Sequence, residues 1–162
     1  MQPIPQAIAP GVSFLSLPDS RFKTTRLTAA FLMPLREETA ARYALVPHLL
    51  CRSCAAYPDM TALARRLNQL YGARIHAGVS RVGDQQALLL TADCIDDRYA
   101  LGGDTVAADC ARLMLSMIFE PALEDGAFRG ADVDQERRCL VEIIESEINE
   151  KRLYARHKCE RL

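Results

Sequence analysis

The feature that most constrains the fold is an alternating segment followed by a short turn and a second, apolar segment. Residues Arg74–Val82 place apolar side chains at alternate positions, Gly83-Asp84 follows as a turn, and Gln86–Cys94 is predicted as the hairpin partner. A period of two is typical of half-buried strands, and a short connection that contains glycine is typical of antiparallel neighbours. The sequence therefore predicts a β-hairpin near the middle of the chain.

Further elements are predicted on both sides of this hairpin. Apolar residues at helical spacing, with capping and breaking residues at the ends, indicate helices, and short runs rich in apolar and β-branched residues indicate strands. These elements are strands at Val12–Leu17 and Thr24–Met33, helices at Arg36–Cys54, Asp59–Tyr71 and Asp104–Ile118, and a long helix that Asp132 caps, with Gln135 completing a capping box. The order β-β-α-α-β-β-α-α favours an α+β fold, in which a mostly antiparallel sheet is covered by helices on one side.

Length and composition fit one domain over residues 1–162. Apolar residues make up 49% of the chain, which is enough for a core. A net charge of −1 gives no field that would recruit nucleic acid or an anionic membrane, and no apolar run is long enough to span a bilayer. Because the N-terminus lacks the features of a signal peptide, we expect six reduced cysteines and a cytoplasmic protein. The helical pattern that runs to Leu162 without a stop residue predicts a truncated, N-terminal piece of a longer polypeptide.

Short segments along most of the chain carry a resemblance to a known family. They are, in order, Arg21-Phe22-Lys23-Thr24, Pro47-His48-Leu49-Leu50-Cys51-Arg52, Leu70-Tyr71-Gly72-Ala73, Arg81-Val82-Gly83-Asp84-Gln85, Phe128, Glu136-Arg137 and Asn149-Glu150-Lys151 through Tyr154-Ala155. On these residues the chain resembles the N-terminal domain of the insulinase/pitrilysin family of zinc peptidases, and within it an inactive-like bacterial branch of elongation factor P modification-associated subunits. The resemblance implies one metallohydrolase-like half of a clam-shaped peptidase, in which two units enclose a chamber that admits unfolded peptides.

The zinc motif of that family is degenerate in this chain. In His-x-x-Glu-His, the two histidines share one helix face and bind zinc, and the glutamate takes a proton from the bound water. By the resemblance, His48 keeps the first ligand position, Cys51 stands at the general-base position and Arg52 stands at the second ligand position. A thiol is a poor replacement for a carboxylate base, and a guanidinium has no lone pair to offer a metal. We therefore expect no bound zinc and no catalytic residue here.

The glutamate that supplies the family's third ligand is displaced as well. Aligning Glu136-Arg137 with the family's Glu-Arg pair puts Ile143 at the ligand position and Glu142 one residue before it. Because successive helical residues are rotated by about 100°, we expect Glu142 to face solvent, away from the apolar stripe formed by Leu140, Val141, Ile144 and Ile148. We expect Arg52 to pair with Glu136 or Glu147, which would put an ion pair in place of the metal.

Two other groups of residues contain side chains of metal-binding type. A His-x-x-Cys-x-x-Cys pattern runs from His48 to Cys54, but on one helix its two ends lie about 120° apart, so its members do not converge. We interpret His48 as a core or edge histidine rather than a ligand. The acidic group at a strand exit lacks the central glycine and the bidentate glutamate of a calcium loop, and is interpreted as a solvated turn; it comprises Asp93, Asp96 and Asp97.

The favoured functional hypothesis is a non-catalytic peptidase-like subunit. The resemblance implies that it pairs with a zinc-bearing relative, or associates with itself, and helps to enclose and bind peptide. One alternative is an active zinc metallopeptidase with displaced ligands, in which His76 or His157 would replace a lost one. The other alternative is a purely structural scaffold subunit, as some inactive relatives are. Neither nucleic acid nor a membrane is an expected partner.

Overall fold

A three-stranded antiparallel sheet with helices on one face forms the body of the protein. A computed structural model of the chain describes residues 3–159, without the side chains of residues 147, 153 and 156–158. The strands are β1 (Ile4–Ala9), β2 (Val12–Ser16), β3 (Thr24–Pro34), β4 (Arg74–Val82) and β5 (Gln85–Ile95), and the helices are α1 (Glu37–Leu50), α2 (Met60–Gln69), α3 (Val106–Phe119), α4 (Gly130–Ser146) and α5 (Lys151–Cys159). Short 3-10 turns lie at Asp97–Tyr99 and Glu147–Asn149. The predicted α+β fold with antiparallel strands is confirmed.

Strand β5 is the centre of the main sheet, in the order β3-β5-β4. It pairs with β3 along all eleven residues, from Thr24 opposite Ile95 to Pro34 opposite Gln85. It pairs with β4 in the hairpin that the sequence predicts, where Gly83 adopts a φ of +58°. Residues other than glycine rarely adopt a φ of this sign, so glycine is suited to this turn.

The core lies between β5 and the helices α2 and α3. Alternate residues of β5 point toward the helices, and Leu90 and Ala92 are 1% and 0% exposed. Val106 and Met117 of α3 are buried to the same degree and belong to the same cluster. Fully burying a large apolar side chain contributes about 1.5–3 kcal/mol, so this cluster is the main source of stability.

The opposite face of the sheet carries polar pairs beside apolar residues such as Leu32 and Leu89, and no helix covers it among the described residues. Thr28 and Thr91 share a hydrogen bond of 3.2 Å between their hydroxyl oxygens. Arg26 donates two hydrogen bonds to Asp93, at 2.7 and 3.1 Å. The expectation that helices cover one side of the sheet is therefore confirmed, and the remaining face carries paired polar groups.

Strand β1 is an addition to the predicted order. It pairs antiparallel with β2 in a separate two-stranded ribbon, and Gly11 turns the chain between them with a φ of +75°. Every residue of β1 is exposed, and its sequence contains a proline and no clean alternation. The periodicity that identifies a strand packed on a core is therefore missing from this segment.

Two predicted helix boundaries are wrong. Helix α1 runs through Pro47 but ends at Leu50, and Cys54 instead forms a β-bridge with Tyr57. Helix α4 begins at Gly130, so Asp132 lies inside its first turn and is not its N-cap. The carboxylate of Asp132 binds a side chain of another helix, as described below.

Helix α4 rests on α1 without burying any side chain completely. The predicted apolar stripe is only partly covered: Leu140 is half-buried, whereas Val141, Ile144 and Ile148 are 47%, 63% and 66% exposed. The stripe therefore does not account for the position of α4. Among the described residues, no helix is both long enough and apolar enough to cross a membrane.

Candidate functional site

The last turn of α1 and the two residues after it carry the three positions at which the resemblance predicts a zinc motif, His48, Cys51 and Arg52. His48 is half-buried in the last turn of the helix, and the chain stays nearly helical beyond it. The amide of Cys51 donates to the carbonyl of Pro47 at 3.2 Å, and the amide of Arg52 donates to that of Leu49 at 3.1 Å. Because residues four apart lie on the same side of a helical turn, Arg52 follows His48 along one face.

Arg52 joins α1 to α4 through two carboxylates. Its Nε donates to Oδ1 of Asp132 at 3.0 Å, and its Nη1 donates to Oε1 of Glu136 at 2.6 Å. The three side chains are only 23%, 24% and 14% exposed, so the ion pairs are partly shielded from water. The predicted pairing of Arg52 with Glu136 is confirmed, and the side chain of the other predicted partner, Glu147, lies outside the described residues.

Asp132 is the contact that sequence reasoning missed. The sequence suggested a cap at this position, because aspartate is a frequent N-cap residue. A different signal was available: Asp132 and Glu136 are four residues apart, which places both carboxylates on one helix face, where a forked guanidinium binds them together. Arg129 lies close to the same carboxylate, with its Nε 3.7 Å from Asp132, and donates to the carbonyl of Pro58 at 2.7 Å.

The pKa of Cys51 makes this residue a poor base. Burial, with a smaller contribution from the negative charge of Glu136, raises the pKa of its thiol to about 12. A thiol with that pKa is protonated at neutral pH and does not accept a proton from water. The chemistry available at position 51 is therefore that of a small, half-buried thiol that stays protonated.

Positions 142 and 143 lie further along α4. Ile143 follows Glu136 by seven residues, which places it on nearly the same face and about 10 Å farther along the helix axis. It is 53% exposed, and Glu142 is also exposed, as expected. An isoleucine offers no ligand atom, so a metal held between α1 and this part of α4 would lack its carboxylate. The assignment of both positions as displaced ligand sites stays a prediction.

The other two groups of side chains of metal-binding type form hydrogen bonds and ion pairs within the protein. Because α1 ends at Leu50, Cys54 is not on the helix that carries His48, and its thiol accepts a hydrogen bond from Ser116 at 3.6 Å. The three aspartates are engaged separately: Asp93 with Arg26, Asp96 with Arg98 at 2.8 Å, and Asp97 with the amide of Ala107 at 2.9 Å. Among the side chains that the structure describes, no group of three or more histidine, cysteine or acidic residues is arranged to hold a metal ion.

His76 lies on the wrong face of the sheet to replace a lost ligand. It is in β4, between Ile75, which packs against the core, and Ala77. Since successive strand residues point to opposite faces, His76 points to the face that carries the polar pairs and not toward the helices. Its Nδ1 is 3.9 Å from Oδ2 of Asp93. This placement removes one of the two histidines on which an active enzyme with displaced ligands depended, and the side chain of the other, His157, is not among those described.

Strand β4 leaves one edge of the sheet open beside α1. It is the last strand of the order β3-β5-β4, and α1 packs across both β4 and β5. In the described part of the chain, no strand pairs with its outer side. An open edge presents backbone N–H and C=O groups that an extended peptide can bind.

Comparisons with known proteins find a similar protein and a similar solved structure. No family model matches the chain. The chain is 28% identical over 135 residues, or 83% of its length, to a protein of Bacillus subtilis (strain 168) named probable inactive metalloprotease YmfF. It is similar in structure to a conserved protein from Enterococcus faecalis V583, with a TM-score of 0.83 and 29% identity over 94% of this chain.

The similarity to the B. subtilis protein supports a non-catalytic, metalloprotease-like protein. The chain spans about a third of the length of both proteins, 32% of the first and 36% of the second. The B. subtilis name describes inactivity, which agrees with the prediction that Cys51 and Arg52 stand at the positions of the base and a ligand.

Proposed function

We propose that this chain belongs to a non-catalytic subunit of the insulinase/pitrilysin type, which pairs with a zinc-bearing relative in the cytosol and helps to hold peptide. The observation that carries the proposal is the position of Arg52. Its permanent positive charge is held between Asp132 and Glu136, where a metal ligand would be required. A cation already fills the space between the carboxylates, and its charge repels a second one.

Peptide binding is proposed at the open edge of β4. Backbone hydrogen bonds along its nine residues would fix an extended peptide whatever its side chains are, which suits a subunit that handles unfolded chains. Arg74 and Arg81 add positive charge to this strand. A peptide bound there would lie beside α1, which packs on the same strand.

Metal analysis and a cleavage assay on the purified chain test the loss of catalysis. We expect no stoichiometric zinc after dialysis against zinc and no cleavage of fluorogenic unfolded peptides. One tightly held zinc per chain, removed by His48→Ala, would overturn the proposal. The variant is needed because weakly bound zinc on surface histidines or cysteines would not respond to a change at His48.

Alternately N-methylated peptides test the mode of binding. An extended peptide that pairs with β4 uses every second amide, so methyl groups on one set of alternate amides should abolish binding and methyl groups on the other set should not. Fluorescence anisotropy of a labelled peptide measures both affinities. Equal affinities for the two methylated peptides would contradict binding at a strand edge.

A structural scaffold is the second candidate, and the exposed apolar residues of α4 favour it. Val141, Ile143 and Ile144 are 47%, 53% and 63% exposed, as expected for a surface that packs against another protein. A scaffold would co-purify with the zinc-bearing relative and leave its peptidase activity unchanged, whereas a peptide-holding subunit would raise that activity. Assays of the relative with and without this chain separate the two.

A further inference from the structure

We propose that a pocket between α2 and α3 binds the phosphate group of a small molecule. The pocket has a volume of about 200 Å³ and is lined by Tyr57, Arg66, Asp109, Arg112, Leu113 and Ser116. Arg66 is on α2, the last four of these residues are on α3, and Tyr57 is in the loop between α1 and α2. None of them belongs to the site around Arg52, so the proposal does not depend on the proposed function.

The pocket has an excess of positive charge. Nη2 of Arg66 donates to Oδ2 of Asp109 at 3.2 Å, and Nη1 of Arg112 donates to Oδ1 of the same carboxylate at 2.7 Å. One negative charge therefore faces two positive ones. Among the described residues, no other acidic side chain lines the pocket. An anion that enters it would balance the charge.

Arg66 is more shielded from water than its one hydrogen bond explains. Its side chain is 27% exposed, and a guanidinium carries five N–H donors. In the described part of the chain, only Asp109 accepts a hydrogen bond from it. Since charged groups that are withdrawn from water are usually matched by acceptors, the unused N–H groups favour a ligand that brings oxygen atoms.

Tyr57 offers a further, neutral donor at a fixed position. Two backbone hydrogen bonds with Cys54, both of 3.0 Å, hold its main chain, and its ring packs against the core cluster. Its hydroxyl forms no hydrogen bond with another residue that the structure describes. An O–H group held in this way beside two guanidinium groups can donate to an oxygen of a bound anion.

The number of donors and the size of the pocket favour a phosphate group over a carboxylate. A carboxylate has two oxygens in one plane, which one forked guanidinium can bind. A phosphate monoester has three acceptor oxygens and a charge of about −1.5 to −2 at neutral pH, which suits three donor side chains. The pocket has the volume of roughly seven water molecules at about 30 Å³ each, so a small organic part fits beside the phosphate. Leu113 and the ring of Tyr57 provide apolar contacts for that part.

Isothermal titration calorimetry at low ionic strength tests the proposal. Inorganic phosphate and glycerol phosphate are titrated in parallel, and the tighter of the two shows whether the ligand is the free ion or an ester. Arg112→Gln should weaken binding about tenfold, because it removes one charge-assisted hydrogen bond. Tyr57→Phe removes only a hydroxyl and should weaken binding about fivefold. Circular dichroism checks that the variants fold.

Arg137→Gln is the matched control. Like Arg112, Arg137 pairs with an aspartate three residues before it, at 3.3 Å against 2.7 Å, and it is 68% exposed against 73%. Because it lies on α4, outside the pocket, its replacement should change the affinity for phosphate by less than about twofold. If Arg112→Gln and Arg137→Gln weaken binding equally, phosphate is attracted by the surface charge in general and the proposal is overturned.

Amide chemical shifts of the unmodified chain locate the site without a variant. Added phosphate should shift the amide signals of Tyr57, Arg66 and residues 109–116 and leave those of β1 and β4 unchanged. The absence of a saturable shift at millimolar phosphate would overturn the proposal. So would shifts confined to another part of the chain, or binding that both Arg112→Gln and Tyr57→Phe leave unchanged, because either result places the anion elsewhere.

Discussion

Replacing Arg52 by methionine should release α4 from α1. The change removes two charge-assisted hydrogen bonds, of 3.0 and 2.6 Å. It leaves Glu136 without this cation, and it leaves Asp132 with Arg129, whose Nε is 3.7 Å away. Charge-assisted hydrogen bonds contribute about 1.5–3 kcal/mol each, and we take the lower end because water still reaches these side chains. The expected loss is about 3 kcal/mol. Methionine keeps most of the aliphatic volume, so packing changes little.

The loss should appear as local opening of α4. No side chain of α4 is completely buried, whereas the core around β5 does not involve Arg52. A local cost of about 3 kcal/mol corresponds to exchange about a hundredfold faster at the amides of α4, with β5 almost unchanged. Native-state hydrogen exchange followed by mass spectrometry measures both segments in one experiment.

Two matched variants control the experiment. Arg137→Met removes an exposed ion pair with Asp134 on the same helix, at 3.3 Å, and should change stability by less than about 0.5 kcal/mol. Arg52→Lys should fall between the parent and Arg52→Met, because one ammonium group does not reproduce the fork of a guanidinium. If Arg52→Met and Arg137→Met show the same exchange, Arg52 does not hold α4 and the reasoning is refuted.

Three further outcomes are expected. Arg52→His places an imidazole one turn after His48 and frees the carboxylate of Glu136, so native mass spectrometry should show one bound zinc per chain. Peptide should be cleaved only when Cys51→Glu also supplies a base. If Arg52→His takes up no zinc, these side chains do not converge. The hydrogen bond from Arg26 lowers the pKa of Asp93, so the Asp93→Asn variant should be less stable than the parent at neutral pH. This difference in the free energy of unfolding should vanish as the pH falls through the pKa of Asp93 in the folded state. Unfolding curves at several pH values measure it, and a difference that stays constant with pH would contradict the prediction. Gly72→Ala should cost about 1–2 kcal/mol in urea unfolding because φ is +72°, whereas Gly130→Ala, with open space and no positive φ, should be nearly neutral.

The main sheet and several helix ends follow from local sequence. The bounds of β4 agree with the prediction, because alternation and the Gly83 turn lie within a few residues of each other. Asp59 caps α2 as expected and accepts a hydrogen bond from the amide of Ala62 at 2.8 Å. These features depend on neighbours in the chain, which a sequence displays directly.

Features that depend on distant contacts were predicted less well. Strand β1 is held by its pairing with β2 and not by a core, so it carries no burial pattern. At the site, the sequence predicts Glu136 as a partner of Arg52 but predicts a helix cap at Asp132, because an aspartate near a helix start suits either role. Only the placement of α1 against α4, 80 residues away in the chain, decides between those roles.

The ion pairs that join α1 to α4 are made by side chains of the protein itself and need no bound ion. A zinc site that joins two helices depends on an ion that the cell must supply and that a chelator can remove. Here Arg52, Asp132 and Glu136 make that joint without it. The fold of this chain should therefore tolerate EDTA, and its unfolding curve should be the same in zinc-free buffer and in buffer that contains zinc.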